Sequence, residues 1–469
     1  MQQEETRREV DLLGVLEIPA RVYWGIHTAR ALANFPLSGR PVHRALIRAL
    51  ARVKKACALA NIELGYLDPP KGLAIVSACD EIAAGDLADQ FPVDALQGGA
   101  GTSTNMNLNE VIANRAIERL GGRRGDYGLV HPIEEVNRHQ STNDVYPTAL
   151  RTAAIFGLRR LSHAVAALQG ACQERERDFE AIVKIGRTEL QEAVPMTLGA
   201  EFSAFAEAFS RDRWRTFKAE ERLRVVNLGG TAVGTGLTAP RDYIFLVVEK
   251  LREVTGLGLS RGENLAGETA HADAFVEVSG ILKAHAANLV KIAGDLRMLH
   301  FTGEVRLPPV QAGSSIMPGK VNPVVMEAVI QAGIRAMADD SLIAAAASRG
   351  SGQINEFLPL VADALLGQID LLSAATELLA GQVRNLAADA DRCRSLFDKS
   401  PMIVTALLPL IGYEKATELV LEYASGAAAA AEAGQGGPGN IRSFLETKLG
   451  KELVDRALAP HKLTALGYR

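Results

Sequence analysis

Between Gly313 and Pro323 the chain reads GSSIMPGKVNP. Two adjacent serines, a Pro-Gly turn, one lysine and one asparagine share a loop that runs into an amphipathic helical pattern. A serine hydroxyl becomes a base only if its oxyanion is held by backbone N–H groups and a nearby cation. Gly313 and Gly319 leave the backbone room to present such groups and to move. Ser314, Ser315, Lys320 and Asn322 are the loop's candidates for chemistry, with Lys320 its one cation. Three other segments are rich in small polar residues. GGAGTSTNMNLNE (Gly98 to Glu110) offers Thr102, HQSTNDVYPT (His139 to Thr148) offers Ser141, Thr142 and Asn143, and GRTELQEAVPMTLG (Gly186 to Gly199) offers Thr188 and Glu189. Each also reads as a capped helix start or a turn, with a helix expected to begin near Asn107. The two readings are compatible, because a helix N-terminus is itself an anion site. Many neutral donors and one lysine suit a small dianion bound without a metal.

Other chemistries lack their residues. No Walker loop, no dinucleotide fingerprint after a strand and no G-x-S-x-G elbow is present. GGTAVGTGL (Gly229 to Leu237) is glycine-rich but lacks the spacing and acidic partner of a nucleotide loop. The four cysteines, Cys57, Cys79, Cys172 and Cys393, are scattered without a C-x-x-C pair, so they read as small buried hydrophobes in a reducing compartment. No metal and no cofactor is expected. A net charge of -4 over 469 residues argues against nucleic acid or an anionic membrane as the main partner. No uninterrupted apolar run reaches membrane-spanning length, and the charged start MQQEETRREVDLLG lacks a signal core, which makes the cytoplasm the expected location.

Helices must carry these loops. No proline falls between Pro240 and Pro308, and Val278, Leu282, Leu289, Ile292, Leu296 and Leu299 recur at steps near three and four, with His285 filling the gap. That is the stripe of a long bundle helix. Further long helices are expected from near Thr148, from Pro323 towards Ala347, and from Ala362 to about Leu386. Strand signals are confined to a small hairpin or extended arm near the start. The chain therefore reads as mainly α with a central long-helix bundle. Turn-rich GGRRGDYGLVHPIEE and the stretch near Asp389 to Pro401 suggest three domains: 1–140, 141–390 and 391–469. The Ala-rich then Gly-rich tail near Gly434 to Gly439 reads as a helix end and link. Long helices with several apolar faces call for other copies to bury them.

With the motifs in chain order, the sequence resembles the aspartase/fumarase superfamily, in the branch of aspartate ammonia-lyase and class II fumarase. GTSTNMNLNEVIANRA, VNRHQSTNDVYPTA, KIGRTELQEAVPMTLG, NLGGTAVGTGL, GSSIMPGKVNP and GYEKATELV all look like family segments. His27-Thr28, QSTND and DQFPVDALQGGAGTSTNMN lean towards aspartase. The resemblance implies a three-domain fold and a homotetramer whose active sites each draw on three subunits. It implies elimination of ammonia from L-aspartate, or a close derivative, to fumarate without a cofactor. By motif position Ser314 would take the C3 proton, Lys320 and Asn322 would bind one carboxylate, and Thr102, Ser141, Thr142 and Ser315 the other. Thr188 and the residue after it would lie near the leaving group.

Three departures stand out. Glu189 follows Gly-Arg-Thr where the family has His or Gln. It has several open roles: pairing with the substrate ammonium and protonating the leaving amine, recognising an extra cationic group on an aspartate derivative, or sharing a proton with Glu327 at the family's partner-carboxylate position. A pair with Lys320 or another cation is the plainer alternative. The segment before the signature loop is shorter than in the family, and Leu358 replaces the usual Glu or Arg. Fumarate hydratase, a lyase for an N-substituted or cationic aspartate, and a non-catalytic scaffold are the competing functions.

Overall fold

A computed structural model of the chain describes residues 5–432 and 439–467. The chain opens on a hairpin, β1 (Thr6–Asp11) with β2 (Gly14–Pro19), antiparallel and in register from Thr6 opposite Pro19 to Asp11 opposite Gly14. Four helices follow: α1 (Ile26–Asn34), α2 (Arg44–Glu63), α3 (Pro69–Ala84) and α4 (Thr102–Arg119). Then come α5 (Thr142–Asp178), a second hairpin of β3 (Val183–Thr188) and β4 (Gln191–Thr197), and α6 (Leu198–Arg222). Apart from two pairs of two-residue strands, Val225–Val226 with Ser260–Arg261 and Val305–Arg306 with Ala387–Ala388, the rest of the regular structure is helical: α7 (Arg241–Thr255), α8 (Leu265–Ala270), α9 (Asp273–Thr302), α10 (Val324–Ala347), α11 (Leu358–Asn385), α12 (Ala390–Lys399) and shorter helices to Leu463. The protein is mainly α, as its periodicity dictates.

The stripe in α9 faces inward as expected: Val278, Leu282, His285, Leu289, Ile292, Leu296 and Leu299 are all buried. The starts of three helices differ from the sequence reading. α4 begins at Thr102 rather than near Asn107, α5 at Thr142 rather than Thr148, and α11 at Leu358 rather than Ala362. The polar clusters are thus the first turns of helices rather than their leaders. Pro147 lies inside α5 in its second turn, and the Asn143 carbonyl that its missing N–H leaves free accepts from Asn227 Nδ2 at 2.9 Å.

The chain forms two compact units interleaved along the sequence. One comprises Met1–Ser162, Trp214–Ala286 and Ile334–Ser373; the other His163–Arg213, Ala287–Gly333 and Ala374–Arg469. Each of the five long helices, α5, α6, α9, α10 and α11, contributes residues to both. In the first unit Gly157 of α5 is required by close packing, since a Cβ there would meet Ile369 Cγ2 of α11 at 2.8 Å. Ser279 of α9 bonds Asp340 of α10, and Gln368 of α11 donates to the Ala336 carbonyl. In the second unit Asn288 of α9 donates to Asp212 of α6. A separate apolar cluster there joins β3 (Val183, Ile185) to Phe397, Ile403 and Leu407.

Helix α11 is long and apolar enough to cross a membrane, with a best-window mean hydropathy of 1.4, although no unbroken apolar run announced it. Yet 61% of that window is buried within the protein, which suits a core helix. The glycine-rich run read as a link lies outside the described residues, apart from Gly439.

Candidate active site

The first unit holds the hydroxyl cluster. Three successive residues ahead of α4, Gly99, Ala100 and Gly101, have φ of 83°, 56° and 94°. This left-handed run turns the chain sharply into the helix. Gly101 is also obligatory for packing, because a Cβ there would lie 2.4 Å from the Tyr146 ring of α5. The starts of α4 and α5 are thereby brought side by side. Thr102 sits exposed at the first position of α4, its hydroxyl donating to the Gly99 carbonyl at 2.8 Å. Thr104 bonds Gln97 through both backbone N–H and hydroxyl.

Ser141 caps α5. Its Oγ accepts from the Asn143 N–H at 3.2 Å, while Asp144 accepts the Ser141 N–H at 3.0 Å, the reciprocal pattern of a capping box. Asp144 also takes the N–H groups of Gly229 and Thr231. The GGTAVGTGL segment therefore serves as a backbone clamp on a carboxylate. Burial pushes the Asp144 carboxyl up to about 6, against the pull of those N–H groups and of Lys54. Asn143 donates to the Ala232 carbonyl at 2.7 Å. Thr142, 8% exposed, accepts from Asn105 Nδ2 at 3.1 Å.

His27 and Thr28 open α1 against a buried acid. Glu110 accepts the N–H groups of Gly25, His27 and Thr28 and the Thr28 hydroxyl. Burial raises Glu110 to about 7, the donors pulling the other way. Here the His-Thr pair fastens a helix start.

The second unit holds the GSSIMPGKVNP loop and the second hairpin. The loop is closed at its base by Gly313 N–H to the Lys320 carbonyl at 2.7 Å and by Asn322 Nδ2 to the Gly313 carbonyl at 2.8 Å. Its tip turns at Pro318-Gly319, with Gly319 at φ 80° and Lys320 N–H returning to the Met317 carbonyl. Ser314 Oγ accepts two backbone N–H bonds, from Ile316 at 3.1 Å and Met317 at 2.9 Å. These donors stabilise an oxyanion more than a neutral hydroxyl. Ser315 and Lys320 are exposed, and a cavity of about 390 Å³ is lined by Ser314, Pro318, Gly319 and Lys320.

Thr188 and Glu189 sit at the tip of the β3–β4 hairpin, both exposed. Thr188 pairs with Gln191, so Glu189 and Leu190 form a two-residue turn with φ of 53° and 62°. Such a turn usually takes Asn or Gly, and two side-chain-bearing residues there store backbone strain. The hairpin is anchored from beneath. Buried Lys184 pairs with Glu201, and Arg187 reaches fully buried Glu304 at 2.5 Å, which also accepts from the Thr302 hydroxyl. On the other strand Glu192 accepts from Ser400 at 2.6 Å.

Within the chain, Glu189 forms no ion pair with Lys320 and shares no hydrogen bond with Glu327 among the described residues; Glu327 instead lies 3.5 Å from Arg297. The structure thus joins Thr142 to Asn105 and packs the two helix starts together, and it gathers Ser314, Lys320 and Asn322 in one loop. Thr188 and Glu189 stand on a separate hairpin. Leu358 is a buried first residue of α11. No group of three or more His, Cys, Asp or Glu among the described residues is placed to hold a metal. Sequence reading missed Lys54, Asn137, Asp144 and the Arg187–Glu304 anchor. For Asp144 the signal was present, three residues after Ser141; for Lys54 and Glu304 nothing in the local pattern marks a buried charge.

In a mainly α fold, the first unit thus offers neutral donors at helix starts, and the second a glycine-hinged loop carrying a serine and a lysine. The chain belongs to the lyase family, whose model matches residues 14–338. It is 45% identical to the aspartate ammonia-lyase of Pseudomonas canavaninivorans, covering 98% of this chain and 97% of that protein. Among solved structures it is similar to a fumarate lyase:delta crystallin from Brucella melitensis bound to cobalt, at 44% identity and TM-score 0.91, over 98% of this chain and 100% of the other. A class II fumarase from Schistosoma mansoni matches at 31% identity and TM-score 0.88, over 97% and 98%.

Proposed function

We propose that this lyase eliminates ammonia from L-aspartate to give fumarate. The observation that carries the reading is the near-full-length identity to an aspartate ammonia-lyase, well above that to the class II fumarase. Hydratase chemistry on malate is the weaker reading, since Glu189 would meet a substrate that brings no positive charge.

Abstraction of the C3 proton leaves a carbanion that delocalises into the adjacent carboxylate. Stabilising that charge is the main catalytic task, and donors already oriented towards it contribute most of the stabilisation. In our reading Ser314 is the base, its oxyanion held by the N–H groups of Ile316 and Met317. Lys320 and Asn322 bind one carboxylate; Thr102, Ser141, Thr142 and Ser315 bind the other, with Asn143 beside them. Thr188 and Glu189 face the leaving ammonium, where a carboxylate complements the positive charge and keeps the amine protonated, so that it departs as neutral ammonia when the C–N bond breaks. Glu327 supports this arrangement.

The clusters lie on different compact units, and we read the complete site as shared by three subunits of a homotetramer. Apolar side chains exposed on the long helices support that assembly: Phe301 is 90% exposed, Trp214 64% and Ile334 57%. Residues 1–140, 141–390 and 391–469 then serve as its N-terminal, bundle and C-terminal domains. Four free, buried cysteines suit a reducing cytoplasm. The test is direct: purified protein with L-aspartate, then L-malate, followed by fumarate absorbance. Fumarate from aspartate alone is the expected result. Activity on malate alone, or on neither, overturns the reading.

A further inference from the structure

Lys54 is a fully buried cation in α2 that the chemistry above does not use. Its Nζ donates to Asn137 Oδ1 at 2.8 Å and to Gln140 Oε1 at 2.8 Å. Asn137 Oδ1 is a convergence point, taking Asn105 Nδ2 at 3.2 Å and Asn109 Nδ2 at 3.1 Å as well. Asn105 Nδ2 has two hydrogens, and its second bond goes to Thr142 Oγ1 at 3.1 Å.

The direction of every bond follows from the lysine. An ammonium only donates, so Asn137 must present its oxygen to it. That oxygen accepts, so Asn105 must present its NH₂ rather than its carbonyl. The same NH₂ then donates to Thr142, and a hydroxyl that accepts one bond directs its own hydrogen elsewhere. The cost of this polarity is visible: Asn105 Oδ1 is buried without a partner. Desolvation pulls Lys54 down to about 8, with nearby Asp144 opposing, so the cation is largely retained at neutral pH.

We propose that Lys54 is a positioning residue for the anion site: through Asn137 and Asn105 it holds the Thr142 hydroxyl as a donor towards a substrate carboxylate. This rests on Thr142 binding that carboxylate. Its role is to act through Thr142, which makes it testable by non-additivity. Succinate, an unreactive dicarboxylate, is titrated calorimetrically into the assembled wild-type enzyme and into Lys54→Met, Thr142→Val and the double variant. Each single change weakens binding about tenfold, the usual worth of a hydrogen bond to a charged group. The double variant binds no more weakly than Thr142→Val. Asn137→Ala, at a half-buried loop position, cuts the relay while keeping the charge, and gives the same loss if Lys54→Met does not fold. Wild-type affinity in either Lys54→Met or Asn137→Ala overturns the proposal, as does an additive, roughly hundredfold loss in the double variant. Unchanged binding in Thr142→Val instead overturns the placement of Thr142 in the site, and the relay with it.

Discussion

Replacing Gly313 by alanine puts a methyl group into the closed base of the Ser314 loop. The new Cβ would meet the Lys320 carbonyl oxygen at 2.8 Å, the Asn322 backbone nitrogen at 3.0 Å and Asn322 Cγ at 3.1 Å. Two of these are backbone atoms and cannot swing away. The arms of the loop must part by roughly half an ångström, in a setting where a 1 Å misplacement costs up to about 10²-fold. The parting loosens both bonds that close the loop, Gly313 N–H to Lys320 and Asn322 to Gly313. Ser314 follows Gly313 directly, so the proposed base moves relative to Lys320 and Asn322, the proposed anion binders. We expect kcat/KM for L-aspartate to fall about ten- to a hundredfold, or about 1.4 to 2.7 kcal/mol. The loop is largely exposed, so unfolding midpoint and assembly should be unchanged. Gly319→Ala is the control: no atom lies within 4 Å, and only its φ of 80° is strained, costing about 1–2 kcal/mol. Steady-state fumarate formation with both variants separates a clash at the base from strain at the tip. Wild-type kcat/KM in folded Gly313→Ala would refute the argument that base closure aligns the site.

Other outcomes follow from the same geometry. Ser314→Ala should abolish turnover, about 10³-fold or more, while circular dichroism and sedimentation stay unchanged. Glu189→Gln should lower kcat for aspartate with little change in succinate affinity if the carboxylate serves the leaving amine; unchanged kcat would make it incidental. Glu304→Gln leaves buried Lys184 and Arg187 short of a carboxylate, and should cost about 3–5 kcal/mol by denaturant unfolding. Glu110 has its folded value raised to about 7 from 4.5, so its contribution to stability is present below pH 4.5 and is lost as pH rises through 7. The stability of Glu110→Gln relative to wild type should therefore improve by about 3 kcal/mol between those limits.

Much of the helical framework was legible because burial in a long helix imposes a period that survives in the sequence. The α9 stripe and the span of α10 show it. The starts of α4 and α5 were misplaced for a related reason. Their first turns are built of Thr, Ser and Asn, residues that favour caps, and only the neighbouring helix overrides that preference. Gly101 tucked against Tyr146 draws the helix back over the polar cluster.

By itself the sequence determined the helical class and marked GSSIMPGKVNP and the hydroxyls of Thr102 and Thr142 as candidates for chemistry, since residue type and local spacing carry that information. The tertiary structure decided what lies behind them. Lys54 is 83 residues from Asn137 and Arg187 is 117 from Glu304, and no local pattern announces that such charges will be buried together. Burial is a property of the packed whole. It turns a lysine in an ordinary amphipathic helix into a fixed cation whose donors set the polarity of a chain of amides.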